Sequence, residues 1–308
     1  MKMAEGISVK YGVNGYYVDV TRHAFEECIK DNMLIIPATD IDRAGIFGDP
    51  IVGVLKHICI EKNGVSRIFI DTEEIVLDIS DIDRKRIEAM PLNPLITAER
   101  KLAAIHQNLK FVGGNLRDEY PEQIMATMFV KSNNKVLELG SNIGRNTLTI
   151  ASLLDNQENL VTVECDPNTC VTLTQNRDIN GFKFRIEDSA LSYKPLIQRG
   201  WDTIPSETLL PGFTRVKTST FQELEAKYDI QFDTLVADCE GALYYILSDY
   251  PDMLNNITTI IMENDYHDIT HKNKVDEIIT SKGFSRVYFR GGGWGPCVNN
   301  FFEVWVRS

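Results

Sequence analysis

The sequence predicts an α/β chain in which a parallel sheet covered by helices on both faces follows a small antiparallel β module. Three observations predict it. From residue 135 onward, short apolar strand runs alternate with helical patterns. The first of those runs ends in a glycine-containing turn, GSNIG at 140–144. The first 80 residues have a different texture, with short alternating runs bounded by Gly, Asn, Asp and Pro.

The chain has 308 residues, room for one large or two modest domains at roughly 150 residues each. A hydrophobic share of 43% with 25% charged residues excludes a disordered chain. Lys and Arg number 32 against 44 Asp and Glu, a net charge of −12 that repels phosphate backbones and makes nucleic acid an unfavoured partner. The six cysteines form no CxxC pair and sit mostly in apolar runs, which points to a reducing compartment. No stretch approaches the ~20 apolar residues of a membrane span, and MKMAEGISVKYG carries no apolar leader core. The expectation is a soluble, cytoplasmic protein.

In chain order, ISVKYG (7–12) and YYVDV (16–20) read as strands, followed by a short helix and the apolar run MLIIP (33–37). The turn FGDP (47–50), the strand VLKHICI (54–60), the turn EKNG (61–64) and RIFID (67–71) complete a module over 1–80. Residues 81–116 read as a helical connector broken by PLNP (91–94), and 117–308 as the second domain. Its strands are KVLEL (135–139), LVTVE (160–164), FKFRIE (182–187), FDTLVAD (232–238) and TTIIME (258–263). Helical patterns occupy 144–154, 167–180, 219–229, 240–249 and 271–282, and the pair FSRVYFR (284–290) and FFEVWV (301–306) closes the chain.

The sharpest chemistry lies in VLELGSNIGRN (136–146). Gly140 permits the tight turn and Gly144 a close approach of backbone to ligand, while Asn146 opens the helix. The spacing G-x-x-x-G is not that of a dinucleotide pyrophosphate site. Twenty residues past Gly144, Glu164 ends the second strand, where a carboxylate accepts both ribose hydroxyls of an adenosine ligand. A plain α/β turn with an incidental acid is the alternative.

ELGSNIG, VECDPN, EDSALS and DCEG, in this order over about 117–307, resemble the FkbM-type family of S-adenosylmethionine-dependent methyltransferases. The resemblance implies a Rossmann-like, seven-stranded class I methyltransferase sheet with the hairpin strand last. It also implies S-adenosylmethionine as cofactor. Carried over by position, Glu138, Gly140, Ser141, Asn142, Gly144 and Asn146 belong to the methionine-side loop and the helix start. Glu164 and Asp166 belong to the ribose side, and Asp188, Ser189 and Ala190 flank the adenine. The family often has Asp where Glu138 stands, Ala for Ser141 and an aliphatic residue for Cys239. Over the first 75 residues or so, YG…VDVT…DNMLIIP…RAGIFGDPIVG…K is similar to the small C-terminal module of some DnaJ-like proteins. That implies an interaction role, with a protein partner or by self-association. The run GWDTIPS…LLPGFT…ADCEGALYYIL resembles proteins of large DNA viruses, which would put the chain in host cytoplasm or virion.

The fourth and fifth strands end in acids, Asp238-Cys239-Glu240 and Glu263-Asn264-Asp265, beyond the carboxyl ends where open α/β sheets bind ligands. The set Asp238, Glu263 and Asn264 is similar to the ligand triad of metal-dependent small-molecule O-methyltransferases, whose oxygens suit Mg²⁺. Asp238 would also touch the cofactor. Asp238, Glu240, Glu263 and His267 are the catalytic candidates, acting through a metal or as a base on an acceptor hydroxyl. Capping and surface polarity are the competing roles, most of all for His267 and His271. Tyr120 and Glu122 in RDEYPEQ (117–123) stand where a helix could cover the methionine end, or merely open a surface helix. Trp294 in GGGWGPC is either a face offered to a sugar or part of a flexible hairpin turn.

Together these readings expect an enzyme, an S-adenosylmethionine-dependent O-methyltransferase acting on a sugar, glycan or related small molecule. The alternatives are a cofactor-binding scaffold without turnover and, less favoured by the charge, an RNA methyltransferase.

Overall fold

The computed structural model describes residues 6–51, 54–200 and 202–307. Two compact units divide after Lys101. The N-terminal unit holds two antiparallel sheets. In one, Ile7–Val13 lies between Tyr16–Asp19 and His57–Lys62, and Val65–Phe69 forms the far edge. The other pairs Ile29–Lys30, Met33–Ile36 and Ile75–Asp78. The strand predicted at 54–60 is shifted to end at Lys62, because Asn63 and Gly64, both at positive φ, make the hairpin turn. Helices Thr21–Glu27 and Asp40–Phe47 pack within this unit, and the second was not foreseen.

Ile82, Ile87 and Ile96 join the N-terminal core alongside Val9, Leu34 and Ile58. The unit therefore runs past the boundary expected at 80, and part of the stretch read as a connector is core. Helix Pro94–Asn108 spans the division point.

The second unit carries the seven-stranded sheet. Its strands are β1 (Val136–Leu139), β2 (Leu160–Glu164), β3 (Arg185–Asp188), β4 (Thr234–Ala237), β5 (Thr259–Glu263), β6 (Phe284–Arg290) and β7 (Phe302–Arg307). Their spatial order is β3-β2-β1-β4-β5-β7-β6. The first five pair in parallel, and β7 enters antiparallel between β5 and β6. This is a Rossmann-like sheet closed by a reversed hairpin. The four central strands, VLEL, LVTVE, TLVA and TIIME, are buried almost throughout, as expected of parallel strands with helices on both faces.

The helices used below are α1 (Tyr120–Phe129), α2 (Arg145–Leu153), α3 (Pro167–Ile179), α4 (Phe221–Tyr228), α5 (Leu243–Asp249) and α6 (Ile269–Ser281). Between β3 and α4 the chain builds a small antiparallel sheet from Leu196–Arg199, Asp202–Pro205 and Thr214–Val216. No alternation in that segment announces it. Among the described residues no helix is long and apolar enough to cross a membrane.

Candidate active site

The turn after β1 is built to let two strand ends meet. Gly140 has φ of 80°, and a Cβ there would lie 1.6 Å from the carbonyl oxygen of Asp238. Asn142, at φ 49°, occupies the left-handed region that Asn tolerates better than most residues, and its side-chain oxygen accepts the N–H of Ile143 at 2.8 Å. Gly144 stands at the head of α2, packed where a Cβ would strike Leu173. Ser141 and Asn146 are buried behind this turn, each with a side-chain oxygen that lacks a hydrogen-bond partner.

Glu164, the last residue of β2, organises the neighbouring turn. Its carboxylate accepts the N–H of Asn142 at 2.9 Å and of Asp166 at 2.8 Å. Asp166 in turn caps α3 by accepting the N–H groups of Asn168 and Thr169. Burial raises the Glu164 carboxyl above its usual range.

These turns border a cavity of about 310 Å³, within the size range of small-molecule sites. Gly140, Asn142, Glu164 and Asp166 line one part, and Ser189, Ala190 and Leu191 another. Asp238, Cys239 and Glu240 line the side toward β4. The small sheet missed in the sequence supplies Leu196, Gln198, Gly200 and Thr203. Five expected contact residues stand off the lining, Ser141 and Asn146 behind the turn and three more. Glu138 lies inside β1, 2% exposed, with its carboxylate accepting the Thr162 hydroxyl at 2.8 Å. Asp188 is exposed at the end of β3, and Gly144 shapes the helix start. Strand pleat decides this for Glu138, whose side chain points into the sheet packing and not past its end.

The acids gather beside the cavity. Glu122, Asp238 and Glu263 each offer an oxygen, all within 4.8 Å of one another. Burial, then the charges of Glu122 and Glu119, pushes Asp238 well above the usual carboxylate range. Burial and the charge of Asp238 likewise raise Glu263. Glu119 is pushed up to about 7 by burial although Arg145 pairs with it at 3.1 Å. Asp265, raised to about 7 by burial and the nearby Glu240, accepts the Gly241 N–H at 2.7 Å. Among the described residues the trio is the single group of three or more Asp, Glu, His or Cys side chains close enough to hold a metal ion.

Asn264, expected as the third oxygen ligand, is fully buried and donates its amide N–H to the carbonyl of Asn300 at 2.7 Å. The third carboxylate is Glu122 instead, from α1. A sequence signal for it existed. Glu122 leads the i, i+3, i+4, i+7 stripe completed by Met125, Ala126 and Phe129, and an acid on an apolar helix face asks for a reason.

Glu240 sits in the left-handed region at φ 51° and is exposed. Burial raises its carboxyl above the usual range, and His267 offsets only part of that rise. His267 is exposed and tilts against Trp294 with ring centroids 4.5 Å apart, and Trp294 remains 40% exposed. His271 stacks flat on Tyr244 at 3.8 Å.

The donor set suits an adenosyl cofactor. The cradle at Gly140 admits no side chain, and a strand-end carboxylate faces a cavity of ligand size. No family model matches the chain, and no curated protein matches it. Among solved structures it is similar to the ribosomal protein L11 methylase of Lactobacillus delbrueckii subsp. bulgaricus, at 12% identity and a TM-score of 0.41, covering 64% of this chain and 82% of that one. It is also similar to a tRNA (m1A22) methyltransferase candidate of Streptococcus pneumoniae solved with S-adenosyl-L-methionine, at 13% identity, TM-score 0.40, 60% and 72% coverage. A third is the precorrin-6y C5,15-methyltransferase of Geobacter metallireducens, at 9% identity, TM-score 0.37, 66% and 96% coverage. Strand order and cradle geometry, not these distant likenesses, support the functional reading.

Proposed function

We propose that this chain is an S-adenosylmethionine-dependent methyltransferase of the FkbM type, and that it methylates a hydroxyl of a sugar or related small molecule. One observation carries the reading: the Gly140 turn, the strand-end Glu164 and the Asp238 side of β4 border one cavity. Bound there, S-adenosylmethionine supplies a methyl group on a sulfonium sulfur. Gly140, Asn142 and Glu164 hold its methionine and ribose parts, with Ser189 and Ala190 beside the base. The acids Asp238 and Glu263 act at the acceptor. A neutral hydroxyl is a poor nucleophile, and its proton must leave as the new O–C bond forms and the methyl C–S bond breaks, the sulfur departing as a neutral thioether. Asp238, which borders the cavity, is placed to take that proton when ionised.

Two features support a neutral polyol acceptor over a polyanion. Glu164, Asp166, Asp238 and Glu240 line the cavity, and the net charge is −12. Trp294, exposed beside His267, offers a flat face of the kind that packs against sugar rings.

The test is transfer of a labelled methyl group to a glycan and metabolite extract read by mass spectrometry, with total RNA in a parallel reaction. Label in the extract and not in RNA is the expected result, and label confined to RNA would reverse the acceptor assignment. Asp238→Asn should lose turnover by roughly a hundredfold or more, with cofactor affinity much less affected. Glu164→Ala should weaken cofactor binding in calorimetry. Near-parental turnover in both Asp238→Asn and Glu263→Gln would remove the carboxylates from the chemistry.

A further inference from the structure

The geometry points to a divalent-cation site formed by Glu122, Asp238 and Glu263. Its role in the reaction rests on the proposed methyl transfer, but its existence does not. Parallel pairing places Ala237 opposite Met262, so the residues that follow, Asp238 and Glu263, end up at adjacent strand ends. That alone is two acids at a sheet edge. Glu122 is a separate observation, because it arrives from α1 and is 8% exposed. Its Oε2 has no hydrogen-bond partner. A buried carboxylate oxygen without a donor, beside two further acids, is strongly unfavourable unless a cation or a shared proton lies among them.

The protein's own cations do not supply enough. Arg145 is engaged by Glu119 at 3.1 Å and Asp118 at 3.5 Å. Arg290 lends Glu122 one favourable charge against three acids. The donors are all hard carboxylate oxygens, with no His or Cys in the group, which suits Mg²⁺ or Mn²⁺ and not zinc. With three protein oxygens used, an octahedral ion keeps positions for water and for an acceptor hydroxyl, whose proton it would loosen.

The test uses the full-length chain freed of metal with EDTA and dialysed, titrated with Mn²⁺ and followed by loss of the free-ion EPR signal. One Mn²⁺ per chain, displaced by Mg²⁺, is expected. Binding should weaken about a hundredfold or more in Glu122→Gln and in Glu263→Gln, at or beyond the upper end of what losing an outer-shell partner costs. Glu277→Gln, a surface acid far along α6, should bind as the parent does. Removing one buried charge should leave the metal-free Glu122→Gln chain at least as heat-stable as the parent; if it does not fold, Glu263→Gln decides. No Mn²⁺ bound at millimolar concentration, or equal binding in parent and folded variants, overturns the site. Calorimetry with S-adenosylmethionine on the same metal-free samples keeps the two readings apart. Cofactor affinity together with a failure to bind Mn²⁺ sinks the cation site alone, whereas Mn²⁺ binding with no cofactor affinity keeps the site and removes the methyl-transfer reading.

Discussion

Glu138 and Glu164 stand on adjacent parallel strands, Glu138 opposite Thr162 and Glu164 at the end of β2. Glu164 faces a cavity and is held by two backbone N–H groups, which fixes its oxygens at the strand end. Glu138 is enclosed in the sheet, and burial pushes its carboxyl up to about 7 from an ordinary 4.5. The sign follows from linkage. An acid whose folded pKa is raised contributes stability that is fully present below its unfolded pKa. That contribution is lost as pH climbs through the folded value. Parent chain should therefore lose about 3 kcal/mol relative to Glu138→Gln between pH 4.5 and 7.5, since the amide never ionises. Urea unfolding of both proteins at the two pH values measures the gap. A gap independent of pH would mean that Glu138 is not ionising in this window.

At the scale of elements, helix ends and strand ends do the positioning. α4 begins at Thr220, whose hydroxyl accepts the N–H of Glu223 at 3.3 Å while the Glu223 carboxylate accepts the N–H of Thr220 at 2.8 Å. This capping box holds the helix that follows the small sheet, and the sheet lines the cavity. Thr220→Ala removes one half of it and should cost about 1 kcal/mol, read as a drop of about 2–4 °C in melting temperature. An unchanged melting temperature would show that tertiary packing, not the cap, fixes the helix start. α1 makes the complementary point. Its polar opening was legible, yet only its packing against β5 and α2 turns Glu122 inward toward Asp238 and Glu263.

For the whole molecule, each unit has its own core, Val9, Leu34 and Ile58 in one and Leu137, Val161 and Leu235 in the other. We therefore expect residues 93–308, which retain Asn93 as the cap of helix Pro94–Asn108, to bind S-adenosylmethionine within about threefold of the full chain in calorimetry. A folded truncation with no affinity would place part of the binding function in the first unit. The central parallel strands were readable because each is a short apolar run bounded by turns, and burial on both faces demands that pattern wherever the strand pairs. The Gly140 and Glu164 turns were readable for a similar reason, since a left-handed turn and a strand-end acid are local requirements written in single residues. The small sheet at 196–216 was not, because its strands are short, mixed in polarity and paired with one another by closing irregular loops. Nor could the acid trio be assembled from sequence. Glu122 lies more than a hundred residues from Asp238, so only the packing of a helix against the ends of two parallel strands decides that three carboxylates share one space.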